Sequence, residues 1–216
     1  LLIDKAEMIL DNFQYTSHIV GKFRDPCFNA LCNICKSSNK ARKEFARDHR
    51  CVDVIMKICR VDNGSFVDIG SQLIKYVLKT VCNTDEVYCI TEGLKTPNES
   101  IPLLATKFAT AGAIGTLCSQ LYSAYQEEQR CASRALGLIL YQETSCLTSL
   151  LEKQKQAAEH GALRYATQAI IGVDAYVREP AAFLLKWLIY KNPAHAEEFE
   201  NLGGISQSMP RALGVA

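Results

Sequence analysis

Two stretches of the chain share one spacing of apolar and polar positions and align without a gap, residues 23–45 and residues 177–199. Near its start each has an arginine, an acid and a proline, and each closes on Glu-Phe. Between these marks apolar residues recur every three or four positions, which predicts a helix. The apolar positions are Phe28, Leu31, Ile34 and Cys35 in the first stretch and Phe183, Leu184, Trp187 and Leu188 in the second. A recurring helix predicts a repeat protein, whose units bury a core only by stacking.

The proline of each stretch predicts where its helix begins. Proline suits the first turn of a helix, and an acid before it can cap the free N–H groups, so Asp25-Pro26 and Glu179-Pro180 are expected to be helix starts. Polar turns are expected at 36–39 and 191–193, each followed by a short charged helix.

A third segment of the unit is marked by glycine. The segments AGAIGTLCSQL at 111–121 and HGALRYATQAI at 160–170 share Gly112/Gly161, and a weaker copy at 202–213 aligns through Gly204. Glycine permits a sharp bend at positive φ between two helices. The predicted unit is therefore a long helix, a short helix, a glycine turn and a medium helix.

These marks divide the chain into an N-terminal cap or partial repeat at 1–22 and a repeat domain at 23–216. The predicted units are 23–64, 65–125, 126–175 and 176–216. The second is long because residues 83–103, with Gly93, Pro97 and Pro102, are expected to form an inserted loop. The last unit stops early, which favours continuation of the chain or end-to-end association there.

Composition narrows the class of protein. Twenty-four Lys and Arg against twenty-three Asp and Glu, with a net charge of +1, argue against a dedicated nucleic-acid binder. The apolar runs are far shorter than the roughly 18 residues that suggest a membrane span. The chain starts at Leu1 without an initiator Met and shows no secretory signal. Ten cysteines occupy mostly apolar helical positions, which favours free thiols and an intracellular, cytoplasmic protein, with nuclear and cytoskeletal locations left open.

Catalytic and metal-binding patterns are weak. Cys32 and Cys35 form C-x-x-C inside a predicted helix, which favours structural cysteines; a zinc site would need Cys27 and Cys51 to join them. The histidines at 18, 49, 160 and 195 are scattered, and no phosphate-binding loop, nucleophile elbow or zinc-protease motif occurs. We expect a protein without enzymatic activity, cofactor or metal.

The repeats resemble the armadillo family, with HEAT-like repeats as the near alternative. The resemblance rests on ALCNIC at 30–35, AGAI at 111–114 and HGAL at 160–163. It implies an all-α fold, a right-handed α-solenoid of about four repeats, whose third helices line a concave groove. The asparagine ladder that nuclear-import adaptors of this family use is absent, because Thr80, Leu138 and Trp187 stand where the first copy has Asn33.

By the same resemblance the groove would bind an extended peptide or a helix of a partner protein. Acidic residues of that partner would meet Lys75, Arg130 and Arg134. Trp187 is expected to be either a groove anchor or a core side chain. The residues implied as partner-binding are Asn29, Asn33, Tyr76, Thr80, Arg130, Arg134, Phe183 and Trp187.

The predicted function is a protein-interaction scaffold, and two alternatives remain open. One is a structural segment of a cytoskeletal or ciliary assembly, joined through its ends. The other is nucleic-acid binding through a basic patch. If this patch binds no partner, it is an ordinary solvated face of a helix. This basic patch consists of Lys40, Arg42, Lys43, Arg47 and Arg50.

Overall fold

The structure is a computed structural model. It describes residues 3, 4, 7, 8, 19–60, 67–81, 104–142, 146–172 and 174–204, with the side chains of 19–25, 67, 68, 80 and 81 left out. The predicted inserted loop at 83–103 and most of the predicted cap at 1–22 lie outside these residues. The division into four units remains a prediction.

Every regular element within the described ranges is an α-helix, as the sequence predicted. The helices, in chain order, are α1 Ile19–Ser37, α2 Asn39–Arg47, α3 Cys51–Arg60, α4 Val67–Val81, α5 Leu104–Thr110, α6 Ala113–Leu121, α7 Gln126–Gln142, α8 Leu147–Glu159, α9 Ala162–Ile171, α10 Ala175–Ile189 and α11 Pro193–Asn201.

Three successive helices form a motif that recurs along the chain. The triplets α2-α3-α4, α5-α6-α7 and α8-α9-α10 each end on a long helix of 15 or 17 residues. The helix α1 precedes the first triplet and α11 follows the last. We call α1, α4, α7 and α10 the third helices.

Local sequence accounts for the turns between these helices. The Ser38 side chain accepts a hydrogen bond from the backbone N–H of Ala41 and caps α2, and Asn192 caps α11 in the same way. Gly112 and Gly161 adopt φ of 90° and 83° before α6 and α9, which confirms the predicted glycine bends. In the weaker third copy the prediction was off by one residue, because Gly203 has the positive φ of 89° and Gly204 is buried.

The predicted helix starts at the two prolines were wrong. Pro26 lies inside α1 and Pro180 lies inside α10. The cap of α10 is instead Asp174, whose side chain accepts a hydrogen bond of 2.9 Å from the backbone N–H of Tyr176. Pro180 is the sixth residue of α10 and has no N–H to donate to the carbonyl of Tyr176, so this helix runs through a proline that lies beyond its first turn.

One continuous core holds the solenoid together. The third helices pack in succession, α1 on α4, α4 on α7 and α7 on α10. Their inward faces carry fully buried aliphatic residues such as Leu73, Leu136 and Leu184, and the shorter helices add Ile55 and Leu117. Because each third helix contacts the next, their remaining exposed faces lie side by side and form one continuous surface.

Two third helices, α7 and α10, approach each other closely at Gly137 of α7. A Cβ atom added there would lie 2.6 Å from Cδ1 of Phe183 and 3.5 Å from the Cα of Leu184 on α10. Glycine at this position therefore lets α10 approach α7 and fixes the place of the Phe183 ring.

We expect Gly137→Ala to destabilise the protein by about 1–2 kcal/mol, because the added methyl displaces the Phe183 ring in a close-packed region. The matched control is Gly115→Ala in α6, where a Cβ would be 3.5 Å from the His160 ring, an ordinary contact. This control should be stabilising by about 0.5 kcal/mol through helix propensity. Urea unfolding followed by circular dichroism measures both, and equal shifts would refute the proposed close approach.

Candidate functional site

A groove of about 360 Å³ crosses all four third helices. Its walls combine aromatic, aliphatic and charged side chains. We call it the third-helix groove, and its lining residues are Lys36, Lys75, Tyr76, Lys79, Glu127, Arg130, Arg134, Leu138, Glu179 and Phe183.

The helical period explains why these residues share one surface. Residues four positions apart lie on the same face of a helix, so Arg130, Arg134 and Leu138 form a row along α7. Glu179 and Phe183 form the equivalent row on α10. The opposite face of α7 is directed into the core, where Leu136 and Ile139 are fully buried.

Two arginines of the groove are held by carboxylates. Arg134 Nη2 lies 2.5 Å from Glu179 Oε2, which joins α7 to α10. Arg130 Nη1 lies 3.1 Å from Glu127 Oε2, and the Tyr176 hydroxyl donates a short hydrogen bond to the same oxygen. Burial raises the pKa of Glu127, but the hydrogen bonds from Tyr176 and Arg130 outweigh it and hold that pKa below its usual value. Both arginines are thus oriented before any partner arrives.

A lysine and a cysteine connect α4 to α7 beneath the groove. Lys75 Nζ donates a hydrogen bond of 3.3 Å to Cys131 Sγ, and Cys131 Sγ donates one of 3.4 Å to Glu127 Oε1. Burial raises the pKa of Cys131 to about 11, so the thiol stays protonated at neutral pH. Burial also raises the pKa of Tyr76 to about 12, which keeps its hydroxyl neutral.

Four of the residues implied as partner-binding come together in this groove: Tyr76, Arg130, Arg134 and Phe183. Asn29 and Asn33 are exposed on α1 but do not line the groove, whose contribution from that helix is Lys36. The side chain of Thr80 lies outside the described residues.

Of the two interpretations that the sequence left open for Trp187, groove anchor or core side chain, the structure supports the core side chain. Its side chain is 2% exposed and packs against three aromatic rings. The ring centroids of Tyr141, Tyr190 and Phe183 lie 5.0, 5.4 and 6.4 Å from that of Trp187. The indole of Trp187 is therefore buried beneath Phe183, and the Phe183 ring lines the groove instead.

Sequence reasoning missed four lining residues, Lys36, Lys79, Glu127 and Glu179. Lys79 follows Lys75 by one helical turn, and that spacing could have predicted it. Glu179 was assigned to a helix start, which concealed its place one turn before Phe183. The spacing of three residues between Glu127 and Arg130 could have predicted their pairing, whereas the contact of Glu127 with Tyr176 of another helix has no local signal.

The predicted basic patch is divided by its own contacts. Arg42 Nη1 donates to the backbone carbonyls of Cys35 and Lys36 at 2.8 and 3.0 Å and so caps the end of α1. Arg50 is paired with three carboxylates, with Nη1 2.7 Å from Asp4 Oδ1 and 3.0 Å from Glu7 Oε2 and with Nη2 2.8 Å from Asp48 Oδ2. The other three members line a separate depression on α2, and they are Lys40, Lys43 and Arg47.

The eight described cysteines are free thiols. Cys32 and Cys35 are buried in α1, and burial raises the pKa of Cys35 to about 12. Within the described ranges, no three cysteines, histidines or acids are grouped as metal ligands would be. Cys32 Sγ instead donates to Gln72 Oε1 at 3.5 Å. These contacts are those of structural cysteines packed between helices.

The described histidines have separate, local contacts. His195 Nδ1 lies 2.9 Å from the carbonyl oxygen of Leu188, which can only accept, so Nδ1 carries a proton. His49 is exposed, and its Nδ1 lies 3.6 Å from Asp48 Oδ1. His160 is the residue at the carboxyl end of α8. His18 lies outside the described residues.

Solved structures share this architecture along most of the chain. A computationally designed armadillo repeat protein for modular peptide recognition is 14% identical, with a TM-score of 0.63, over 92% of this chain and 71% of that one. A designed armadillo repeat protein in complex with the peptide (KR)4 is 14% identical, with a TM-score of 0.61, over 98% and 82%. An engineered protein from a structural-genomics consortium is 15% identical, with a TM-score of 0.63, over 97% and 76%.

These likenesses establish the fold. The chain has an armadillo-like repeat fold, an all-α solenoid, as the sequence motifs predicted. No protein-family model and no curated protein sequence matches it. Among the helices that the structure describes, none has the length and apolar character that crossing a bilayer requires.

Proposed function

We propose that this chain is a non-enzymatic scaffold that binds a segment of a partner protein, extended or helical, in the third-helix groove. One observation carries the proposal: side chains from all four third helices converge on a single groove of about 360 Å³. A surface assembled from successive helices suits a long, narrow partner, because each helix contributes one part of the contact.

The groove combines an apolar floor with charged walls. Phe183 and Leu138 come from neighbouring helices, and the Phe183 ring is supported from below by Trp187 at 6.4 Å between centroids. A supported aromatic ring loses little conformational entropy on binding, which is typical of an interface anchor. Tyr76, which is half-buried on α4, provides a second aromatic contact.

The chemistry of the groove favours binding over catalysis. Glu127 and Glu179 are engaged by arginines, and the Cys131 thiol is protonated at neutral pH, so these groups offer charge and hydrogen bonds and no activated nucleophile. Two of the similar structures are designed for, or bound to, peptides, which agrees with such a use of the fold.

We further propose a reducing compartment, the cytoplasm, as the location of this protein. The support is that the described cysteines are free and that six of them are buried as apolar side chains: Cys32, Cys35, Cys51, Cys59, Cys118 and Cys131.

Peptides selected from a displayed random library on the wild-type chain should depend on Phe183. We expect Phe183→Ser to weaken their binding at least tenfold, since the substitution removes an aromatic anchor from the groove floor. Isothermal titration with the selected peptides measures the loss. The control is Tyr125→Ser, which alters an aromatic side chain that is 70% exposed and outside the groove lining.

Selected peptides that bind Phe183→Ser as tightly as wild type would place the binding surface elsewhere and sink the proposal. The alternative function, a structural segment joined to its neighbours through its ends, makes a different prediction. It predicts self-association, measured by sedimentation velocity, that Phe183→Ser leaves unchanged.

A further inference from the structure

The third-helix groove carries an excess of positive charge. Its lining has five cationic side chains and two carboxylates. The cations are distributed over α1, α4 and α7, so a partner that crosses the groove meets one on three successive third helices. The cationic residues are Lys36, Lys75, Lys79, Arg130 and Arg134.

The two carboxylates of the groove differ in how firmly they are held. Glu127 is fixed by Arg130 and by Tyr176, and it also accepts from Cys131. Glu179 makes an ion pair with Arg134, but its side chain is 59% exposed while that of Arg134 is 15% exposed. An exposed carboxylate can rotate into water at small cost, since such pairs contribute little net stability. The pair of Glu179 and Arg134 therefore has one mobile member and one fixed member.

We propose that the groove binds an acidic peptide segment whose carboxylate replaces Glu179 on Arg134. The inference rests on the proposed function and specifies the chemistry of the partner. Arg134 keeps a carboxylate partner throughout the exchange, so its charge is never left unpaired in a partly buried site. A carboxylate of a peptide can take the place of Glu179 on Arg134, whereas a neutral or basic side chain cannot, so this pair disfavours neutral and basic segments.

The same geometry places an apolar contact beside the arginine. Leu138 follows Arg134 by one turn of α7, and Phe183 follows Glu179 by one turn of α10, a rise of about 5.4 Å along each helix. A segment that crosses these helices is therefore expected to present an acidic residue and, within one or two positions, an apolar residue that packs on Leu138 and Phe183.

Three matched peptides test this inference by fluorescence anisotropy at low ionic strength. They are fluorescein-labelled (Glu-Ser-Phe-Ser)2, (Gln-Ser-Phe-Ser)2 and (Lys-Ser-Phe-Ser)2. The acidic peptide should bind at least fivefold more tightly than the neutral one, and the basic peptide more weakly than both. The acidic peptide should also lose affinity as salt is raised.

Glu179→Gln should strengthen binding of the acidic peptide by about three- to fivefold, because it removes the internal competitor. The neutral peptide should gain less. Glu200→Gln is the matched control, since it removes the same charge from an exposed position on α11 and should leave both affinities unchanged.

Arg134→Gln should remove most of the preference for the acidic peptide over the neutral one, and Arg134→Lys should retain more of that preference than Arg134→Gln does. Arg164→Gln, at an exposed position of α9, removes the same charge outside the groove lining and is the control. Circular dichroism identifies a variant that fails to fold, in which case Glu179→Gln and Arg134→Lys carry the test.

Each failure has a distinct meaning. If the three peptides bind equally and all depend on Phe183, the acidic preference is overturned while the proposed function stands. If binding of all three is insensitive to Phe183→Ser, the proposed function fails as well. If a single-stranded oligonucleotide binds more tightly than the acidic peptide and gains from Glu179→Gln, the groove is a nucleic-acid site and the inference is overturned.

Discussion

Replacement of Trp187 by alanine is expected to destabilise the protein by about 3–5 kcal/mol, the usual cost of removing a buried large aromatic side chain. The indole is 2% exposed and contacts the rings of Tyr141, Phe183 and Tyr190. A cavity at this point would leave the α7–α10 interface without its largest side chain and the Phe183 ring without support. Urea unfolding monitored by circular dichroism measures the loss.

Two companion variants make this expectation sharper. Trp187→Phe should cost less than half as much, because it keeps one ring and removes a buried indole N–H that has no hydrogen-bond partner within the described structure. Tyr125→Ala, at a side chain that is 70% exposed, should change stability by less than about 0.5 kcal/mol. If Trp187→Ala left the unfolding midpoint unchanged, the indole would have to lie on the surface, and the groove assignment would return.

Replacement of Gln154 by leucine is expected to destabilise the protein by about 2–4 kcal/mol. The Gln154 side chain is fully buried, and its Nε2 donates to the carbonyl oxygens of Trp187 and Tyr190 at 2.7 and 2.9 Å. Its Oε1 accepts from Asn192 Nδ2 at 3.0 Å. One side chain of α8 thus satisfies the carboxyl end of α10 and positions the cap of α11, and leucine would leave these buried groups unpaired.

Chemical denaturation with fluorescence detection suits this test, because Trp187 is the only tryptophan and lies beside the altered contacts. Gln168→Leu, at an exposed position of α9, is the matched control and should shift stability by less than about 0.5 kcal/mol. Gln154→Glu should be worse than Gln154→Leu at neutral pH, since a buried carboxylate would face two carbonyl oxygens, and it should recover as the pH falls and the carboxyl protonates. A wild-type midpoint for Gln154→Leu would contradict the assigned hydrogen bonds.

Much of the fold could be predicted from the sequence because the signals are local. Gly112 and Gly161 mark bends that need positive φ, and both have it. The polar turn before Asn39 ends one helix and caps the next through Ser38. The helix starts at Pro26 and Pro180 were predicted wrongly, because Pro26 is the eighth residue of α1 and Pro180 the sixth residue of α10. For α10, the capping residue Asp174 was the sequence signal that marked the true helix start.

The candidate site was predictable only in part. Arg130 and Arg134 repeat at helical spacing, so their common face follows from the sequence. The sequence does not show whether Phe183 or Trp187 lines the groove, because both are aromatic and they lie one turn apart. The indole of Trp187 is buried, and the partly buried Phe183 is the one that lines the groove.

By itself, the sequence determined the helical unit, its turns and the armadillo-like class, since these depend on contacts within a few residues. Only the tertiary structure decided which charged side chains of the groove are paired. Arg134 acquires its carboxylate from another helix, and Glu127 is held by Tyr176 in the same way. Such pairs join residues more than forty positions apart, and helical periodicity carries no information about which helices become neighbours.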